Sequence, residues 1–378
     1  MQVRRDPPPI PKHSPRLAAW HSGDQPGLAL TYCSAATQDA GSDDYSVHSV
    51  CTESDQNMAM DRILITGSSG FYGRALIAAI RREFPSATIL GLDVIAAKTN
   101  PPDQFESCDI TSPRLKDRIA AFHPDTVVHL AFVVNPMRDE VRMHHINVNG
   151  TRNLLAAVND VRPARLMVSS SATAYGAWPD NCIPLTEEHP LRTRTEYRYA
   201  HDKFQVETML QEFAAAQPGI KVSWTRPSMI YGPGMSNFMN ALFSGPFVLP
   251  LPGGDNPLIQ FVHLDDVAEA SLAILKADAT GPFNVAPVDW FTMKDLARMR
   301  GRLALPIPFS VCRAFTTCWW ELRLPIFRFP ASLWYFIRYP WVITPERLTK
   351  EVGYEFRYSS RDVIRLLLKD AGKLRNDG

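Results

Sequence analysis

The apolar positions along the chain change rhythm near residue 60. Residues 1–57 are rich in Pro, Ser, Asp, Gly and Gln and carry few recurring apolar positions. Such a stretch buries too little surface to offset its ordering entropy. It is expected to be a disordered tail. Met58 and Met60 mark where a shorter native chain would begin; tryptic peptides from residues 1–50 of the natively expressed protein would refute that start. From Asp61 the pattern alternates. Short, nearly continuous apolar runs at 62–66, 87–93, 126–131 and 165–169 predict buried strands. Helical spacing at 74–83, 139–158 and 196–216 predicts the helices between and after them. Buried strands separated by helices imply a parallel sheet covered on both faces, and right-handed crossovers make it an α/β doubly wound (Rossmann) sheet.

Beyond about residue 225 the regularity weakens. Residues 221–230 and 258–262 still read as strands and 265–277 as a helix. Residues 303–343 are punctuated by proline and rich in aromatics, among them Trp319, Trp320, Trp334, Tyr335, Phe336 and Trp341. The expected organisation is the tail (1–57), a dinucleotide-binding domain (58–225), and a mixed segment (226–378) that completes the sheet and forms a small substrate lobe over its carboxyl edge.

Composition narrows the function classes. Forty basic against 39 acidic residues leave a net charge of +1, so no overall basic field points to nucleic acid. The six cysteines, at 33, 51, 108, 182, 312 and 318, have neither C-x-x-C pairing nor zinc spacing, so no metal is expected and reduced thiols in a cytoplasmic protein are. No apolar run reaches the length of a membrane span.

Candidate chemistry begins where the first strand ends. Thr66-Gly67-Ser68-Ser69-Gly70-Phe71-Tyr72-Gly73 is a G-x-x-G-x-x-G turn running into a helix. Gly67 permits the tight turn, Gly70 lets backbone approach a pyrophosphate, and Gly73 lets the helix pack closely on the strand. The helix N-terminus adds free N–H groups and a positive dipole end. Alone, the turn could be an ordinary strand-to-helix connection. Asp93 closes the second strand, 26 residues after Gly67, where an acid accepts both ribose hydroxyls of NAD. It would repel the 2′-phosphate of NADP, so NAD is the expected cofactor.

A second group lies further on. Tyr199 and Lys203 form Y-x-x-x-K on a predicted helix and share one face. An ammonium beside a phenol favours the phenolate, which readies the tyrosine to move a proton to or from a substrate oxygen. The other reading is an exposed helical pair. Ser169-Ser170-Ser171-Ala172 leaves a strand at its carboxyl end, the edge where such sheets bind ligands. A hydroxyl there can hold the reacting oxygen.

These residues resemble the extended short-chain dehydrogenases/reductases, the NAD-dependent epimerase/dehydratase family. The resemblance covers residues 60–290 and also rests on Cys108-Asp109-Ile110, His129-Leu130-Ala131, Asn147-Val148-Asn149-Gly150-Thr151, Arg226-Pro227, Tyr231-Gly232-Pro233-Gly234 and Phe261-Val262-His263-Leu264-Asp265-Asp266-Val267. It implies that Ser171 binds the reacting oxygen, that Tyr199 is the acid/base, and that Lys203 is its ribose-binding partner. It implies that Asn147 shapes the proton path. The turn, with Phe71 and Tyr72, and Ala131 would line the cofactor, and Asp109 with Ile110 would meet the adenine. His129 and His263 read as structural, and His144 and His145 point apart. Dehydrogenation, epimerisation and dehydration all remain open, as do a nucleoside-diphosphate-sugar epimerase and a non-catalytic NAD-sensing protein.

Three positions depart from the sugar-nucleotide members. Met229 stands where many carry Asn, Ile259-Gln260 where many carry Arg-Asp, and Val134 where several carry Lys. Each change removes a polar or charged contact to a pyrophosphate. An apolar alcohol or ketone is therefore an expected substrate class beside sugar nucleotides. Arg313, Arg323, Arg328 and Arg338 among the lobe's aromatics suggest peripheral membrane contact. By the same resemblance, a homodimer through the Tyr199 helix and the 139–158 helix is expected.

Overall fold

The computed structural model of the protein describes residues 60–233, 235, 249–323 and 329–372. The expectations for residues 1–57, Gly234 and Arg328 lie outside them.

The strands are β1 (Arg62–Thr66), β2 (Thr88–Asp93), β3 (Gln104–Ser107), β4 (Thr126–His129), β5 (Arg165–Ser169), β6 (Lys221–Pro227), β7 (Met229–Tyr231), β8 (Leu249–Pro252), β9 (Leu258–Ile259), β10 (Phe261–His263), β11 (Gly281–Val285), β12 (Phe291–Thr292) and β13 (Ala304–Ile307). Seven of them form one sheet in the order β11-β6-β5-β4-β1-β2-β3. Every neighbouring pair is parallel. The order reverses at β1/β4, so a crevice opens there at the carboxyl ends of the strands. β1, β4 and β5 are buried on both faces, which accounts for their unbroken apolar runs.

Five helices bear on the site. The first, α1 (Phe71–Glu83), buries Gly73, Leu76, Ile77 and Ile80 on one face, and Arg81 and Arg82 in its last turn complement the dipole. α2 (Leu115–Phe122) packs beside the fourth helix. The single helix predicted over 139–158 is built from three pieces. They are α3 (Glu140–His144), a π turn (His145–Asn149) and α4 (Gly150–Val161). α5 (Arg198–Ala216) carries Tyr199 and Lys203 as predicted, and its inner face buries Asp202, Lys203 and Glu207 among apolar residues.

Other differences have plain causes. The edge strand β3 (QFES) has no apolar alternation, because only one neighbour and little burial constrain it. The predicted strand at 221–230 divides at Ser228, whose N–H turns to the carbonyl of Val285. The last sheet strand, β11, comes from the C-terminal segment and pairs with β6. The aromatic lobe is regular: a helix at Phe309–Glu321 and a short one at Trp334–Arg338. Phe336, Trp341 and Leu333 pack in one core with Ala172, Tyr175 and Tyr197, at the carboxyl edge of the sheet. No helix among the described residues is long and apolar enough to cross a membrane. No group of three or more His, Cys, Asp or Glu among them could hold a metal ion.

Candidate active site

The glycine turn is held by backbone. Gly67 has φ +71°, and a Cβ there would lie 2.6 Å from the Ala131 nitrogen. Its N–H donates to the Leu92 carbonyl at 2.8 Å. A Cβ on Gly73 would meet the Ser68 carbonyl carbon at 2.8 Å, so both glycines are required by space. Gly70 is the N-cap of α1 and offers no capping side chain. The first N–H groups of the helix are thus left for an outside acceptor. Asp93 sits at the end of β2, where its Oδ2 accepts from the Ser69 N–H at 3.0 Å and its Oδ1 from Val94 at 2.7 Å. Ser68 Oγ and Ser69 Oγ are buried with no hydrogen-bond partner among the described residues. A buried hydroxyl without a partner is costly. A cradle of this kind, with orphaned donors, an open helix end and a carboxylate beside it, fits a dinucleotide.

Four expected cofactor residues are placed less directly. The Tyr72 hydroxyl is bonded to Ser271 on the helix Leu264–Lys276. Ile110 is 5% exposed and its side chain fills the space left by Gly150. Asp109 is exposed, its Oδ1 accepting from the Thr111 N–H and hydroxyl, both at 2.8 Å. Phe71 is half-buried under the Arg74 guanidinium, 4.9 Å from the ring centre.

From Gly67 the contacts lead to the second group. Ala131, pressed against Gly67, is followed by Phe132. The Phe132 ring stands edge-on to Tyr199 at 5.7 Å, and Lys203 Nζ lies 3.4 Å from its centre. Tyr199 hydrogen-bonds Ser171. Ser171 Oγ in turn accepts from the Thr173 N–H at 3.2 Å and the Thr173 hydroxyl at 3.0 Å. Lys203 Nζ donates to the Ser169 carbonyl at 2.6 Å. Ser171, Tyr199 and Lys203 thus cluster at the carboxyl end of β5, joined to the glycine turn through Ala131 and Phe132.

The electrostatics correct one expectation. Lys203 does not make the Tyr199 phenol acidic here. Burial pushes the phenol up to about 12, and the Ser171 hydrogen bond opposes only part of the rise. Burial likewise brings Lys203 down to about 7, against the pull of Glu207 and Asp202. The reason is geometric. The ammonium is spent on a carbonyl and an aromatic face, 5.8 Å from the Tyr199 ring centre.

Asn147 lies in the π turn, fully buried, a common setting for functional residues. Its Oδ1 accepts from the Val133 N–H at 2.7 Å and its Nδ2 donates to Asp202 Oδ2 at 3.1 Å. Asp202 Oδ1 meets His144 Nδ1 at 2.8 Å. Asn147 thereby fixes the loop after β4 to α5. Replacing Asp202 by Ala leaves the buried Asn147 amide without its acceptor. The expected loss is about 1–2 kcal/mol of stability, read by thermal denaturation. His129 bridges Thr66 at 2.6 Å and Thr151 at 3.0 Å and is held neutral by burial, at about 3. His263 caps a helix by accepting from the Asp265 N–H at 3.2 Å.

Sequence reasoning missed the network behind the pocket. Arg226, 2% exposed, pairs with Glu207 on α5, with Nε 3.0 Å from each carboxylate oxygen. Ser170 Oγ donates to the same carboxylate at 2.5 Å and Trp224 Nε1 at 2.8 Å. Arg226 also donates to the Tyr175 hydroxyl at 2.7 Å, and Tyr175 donates to Asn284 at 2.9 Å. The available signal was Glu207 four residues after Lys203, on the same inner face. Ser228, 6% exposed at the carboxyl end of β6, also has a buried hydroxyl with no partner among the described residues.

The departures from the sugar-nucleotide pattern have visible consequences. Gln260 is bound on both ends of its amide, to the carbonyls of Pro287 and Ile343 and to the Ile343 N–H. It ties the lobe down and offers nothing to a ligand. Met229 packs against the lobe core, and Val134 is 49% exposed.

Comparison with known proteins agrees with the fold. The model of the NAD dependent epimerase/dehydratase family matches residues 63–286. An uncharacterised protein of Mycobacterium tuberculosis is 26% identical over 254 residues, 65% of this chain and 67% of its own. UDP-glucuronic acid decarboxylase 6 of Arabidopsis thaliana is 27% identical over 271 residues, 65% of this chain and 75% of its own. Among solved structures, dTDP-glucose 4,6-dehydratase of Bacillus anthracis in complex with NAD superposes with a TM-score of 0.63 at 18% identity, covering 83% of this chain and 97% of that one. UDP-glucose 4-epimerase of Thermus thermophilus in complex with NAD superposes with a TM-score of 0.63 at 21% identity, covering 82% and 99%. With a doubly wound sheet, a glycine turn that only glycine can form and a Ser/Tyr/Lys cluster at its carboxyl edge, the chain belongs to the NAD dependent epimerase/dehydratase family.

Proposed function

We propose that the chain binds NAD at the Gly67–Gly73 turn and moves a hydride between the nicotinamide and a carbinol or carbonyl carbon, with Tyr199 handling the proton. The observation that carries this reading is the unbroken contact from Gly67 through Ala131 and Phe132 to Tyr199 and Lys203. When bound, NAD supplies the hydride acceptor. The protein's own residues do the rest. Asp93 accepts from the ribose hydroxyls, and the α1 N-terminus with Ser68 and Ser69 receives the phosphates. Ser171 holds the reacting oxygen beside Tyr199. Lys203 donates to the nicotinamide ribose.

That role links cofactor binding to protonation. Lys203 titrates near 7, so it is charged below that pH and neutral above it. A bound ribose that accepts from the ammonium favours the charged form. NAD binding should therefore take up a proton near neutral pH, and affinity should fall as pH rises above 7. Calorimetry in two buffers of different ionisation heat measures the uptake. A Lys203→Met variant should show none.

On the substrate side, Met229, Val134 and the engaged Gln260 favour an apolar alcohol or ketone over a sugar nucleotide. A sugar nucleotide is the second reading, favoured by the relatives whose names state one. Turnover screened against nucleoside-diphosphate sugars and hydroxysteroid-type alcohols separates the two. Net NADH formation marks dehydrogenation, and product without NADH marks epimerisation or dehydration. We also propose a homodimer through α5, whose outer face carries the half-buried Phe204, and the α3–α4 unit; light scattering reads its mass.

A further inference from the structure

The helix Phe309–Glu321 buries only Cys312 and Thr316. A different stripe of it stays apolar. Val311, Ala314, Phe315, Cys318 and the capping Leu322 recur at helical spacing and are all exposed. Val311 is 52%, Phe315 49% and Leu322 63% exposed. The strand that runs into this helix adds Leu303 at 70% and Leu305 at 44%. A soluble surface rarely gathers so many large apolar side chains on one helix.

Charge identifies the occupant. Arg302, Arg313 and Arg323 are exposed around the stripe, and Glu321 is the one acid between residues 302 and 323. Arg313 also donates to the Tyr335 hydroxyl at 3.0 Å, and Arg338 is paired with Asp255. Area argues against a second copy of the chain. A stable protein interface buries about 800 Å² a side and draws on roughly 20–30 residues, whereas this patch is one helix stripe and one short strand. An apolar stripe with aromatic and arginine flanks matches an interfacial helix.

We infer that the helix Phe309–Glu321 docks the protein on an anionic lipid surface, with Val311 and Leu322 of the stripe at the acyl boundary and the arginines among the headgroups. A single short helix gives reversible attachment. Trp320 on the same helix lies under the Arg138 guanidinium, 4.6 Å from the ring centre. Arg138 ends the loop that Asn147 anchors beside the catalytic pocket. Docking would thus bring the pocket to the membrane plane, where an apolar substrate resides.

Flotation of the full chain with vesicles tests this. Wild type should rise with phosphatidylcholine vesicles containing about 30% phosphatidylglycerol and far less with phosphatidylcholine alone, and salt should release it. The double variant Val311→Ser/Leu322→Ser should bind about tenfold more weakly, with unchanged thermal stability and NAD affinity. Wild type that stays soluble with the anionic vesicles would overturn the proposal. So would a double variant that floats as well as wild type, or one that turns a dimer into a monomer in light scattering.

Discussion

Tyr199→Phe should lower kcat by about a thousandfold while leaving the NAD dissociation constant within about twofold of wild type. The substitution removes one hydroxyl and keeps the ring that stands against Phe132 at 5.7 Å. Packing and the cofactor seat are therefore preserved. The proton carrier and the partner of Ser171 are lost. Steady-state turnover and NAD titration on the same preparation read the two effects separately. A variant that keeps more than a tenth of wild-type kcat would assign the proton step to another group. Ser171→Ala should fall by a similar factor, and the double variant by little more, because the two hydroxyls act on one oxygen.

Arg226→Met should be the most destabilising single change near the site, costing about 3–5 kcal/mol. It strips the counter-charge from Glu207, which is fully buried. The carboxylate would keep the hydrogen bonds from Ser170 and Trp224 but lose its cation. A melting temperature lower by about 10 °C is expected. The double variant Glu207→Leu/Arg226→Met should lose less than the sum, because no isolated charge remains. A single-variant loss below about 1 kcal/mol would mean that the pair is not what fixes β6 to α5.

Much of the fold was legible because its strands are buried on both faces and read as unbroken apolar runs. The turn at Gly67–Gly73 was legible for a stricter reason: a positive φ at Gly67 and the closeness of Ala131 leave glycine no substitute. Tyr199 and Lys203 were placed on one helix face by spacing alone. Their protonation was not, since it depends on burial and on the Ser169 carbonyl, which are tertiary facts. The π turn at Asn147 was hidden by good helical spacing on either side. Glu207 and Arg226 were hidden because a buried ion pair looks, in sequence, like two surface charges. β3 gave no signal, for an edge strand needs no alternating pattern.

The central claim is that the glycine turn seats a dinucleotide in front of Tyr199. Titrating NAD into the full chain, with intrinsic fluorescence as the readout, tests it most directly when wild type, Tyr199→Phe and Gly67→Val are compared. Saturable binding by the first two and its loss in a still-folded Gly67→Val is the predicted result; wild type that does not bind NAD, or a Gly67→Val variant that binds it equally well, would contradict the account.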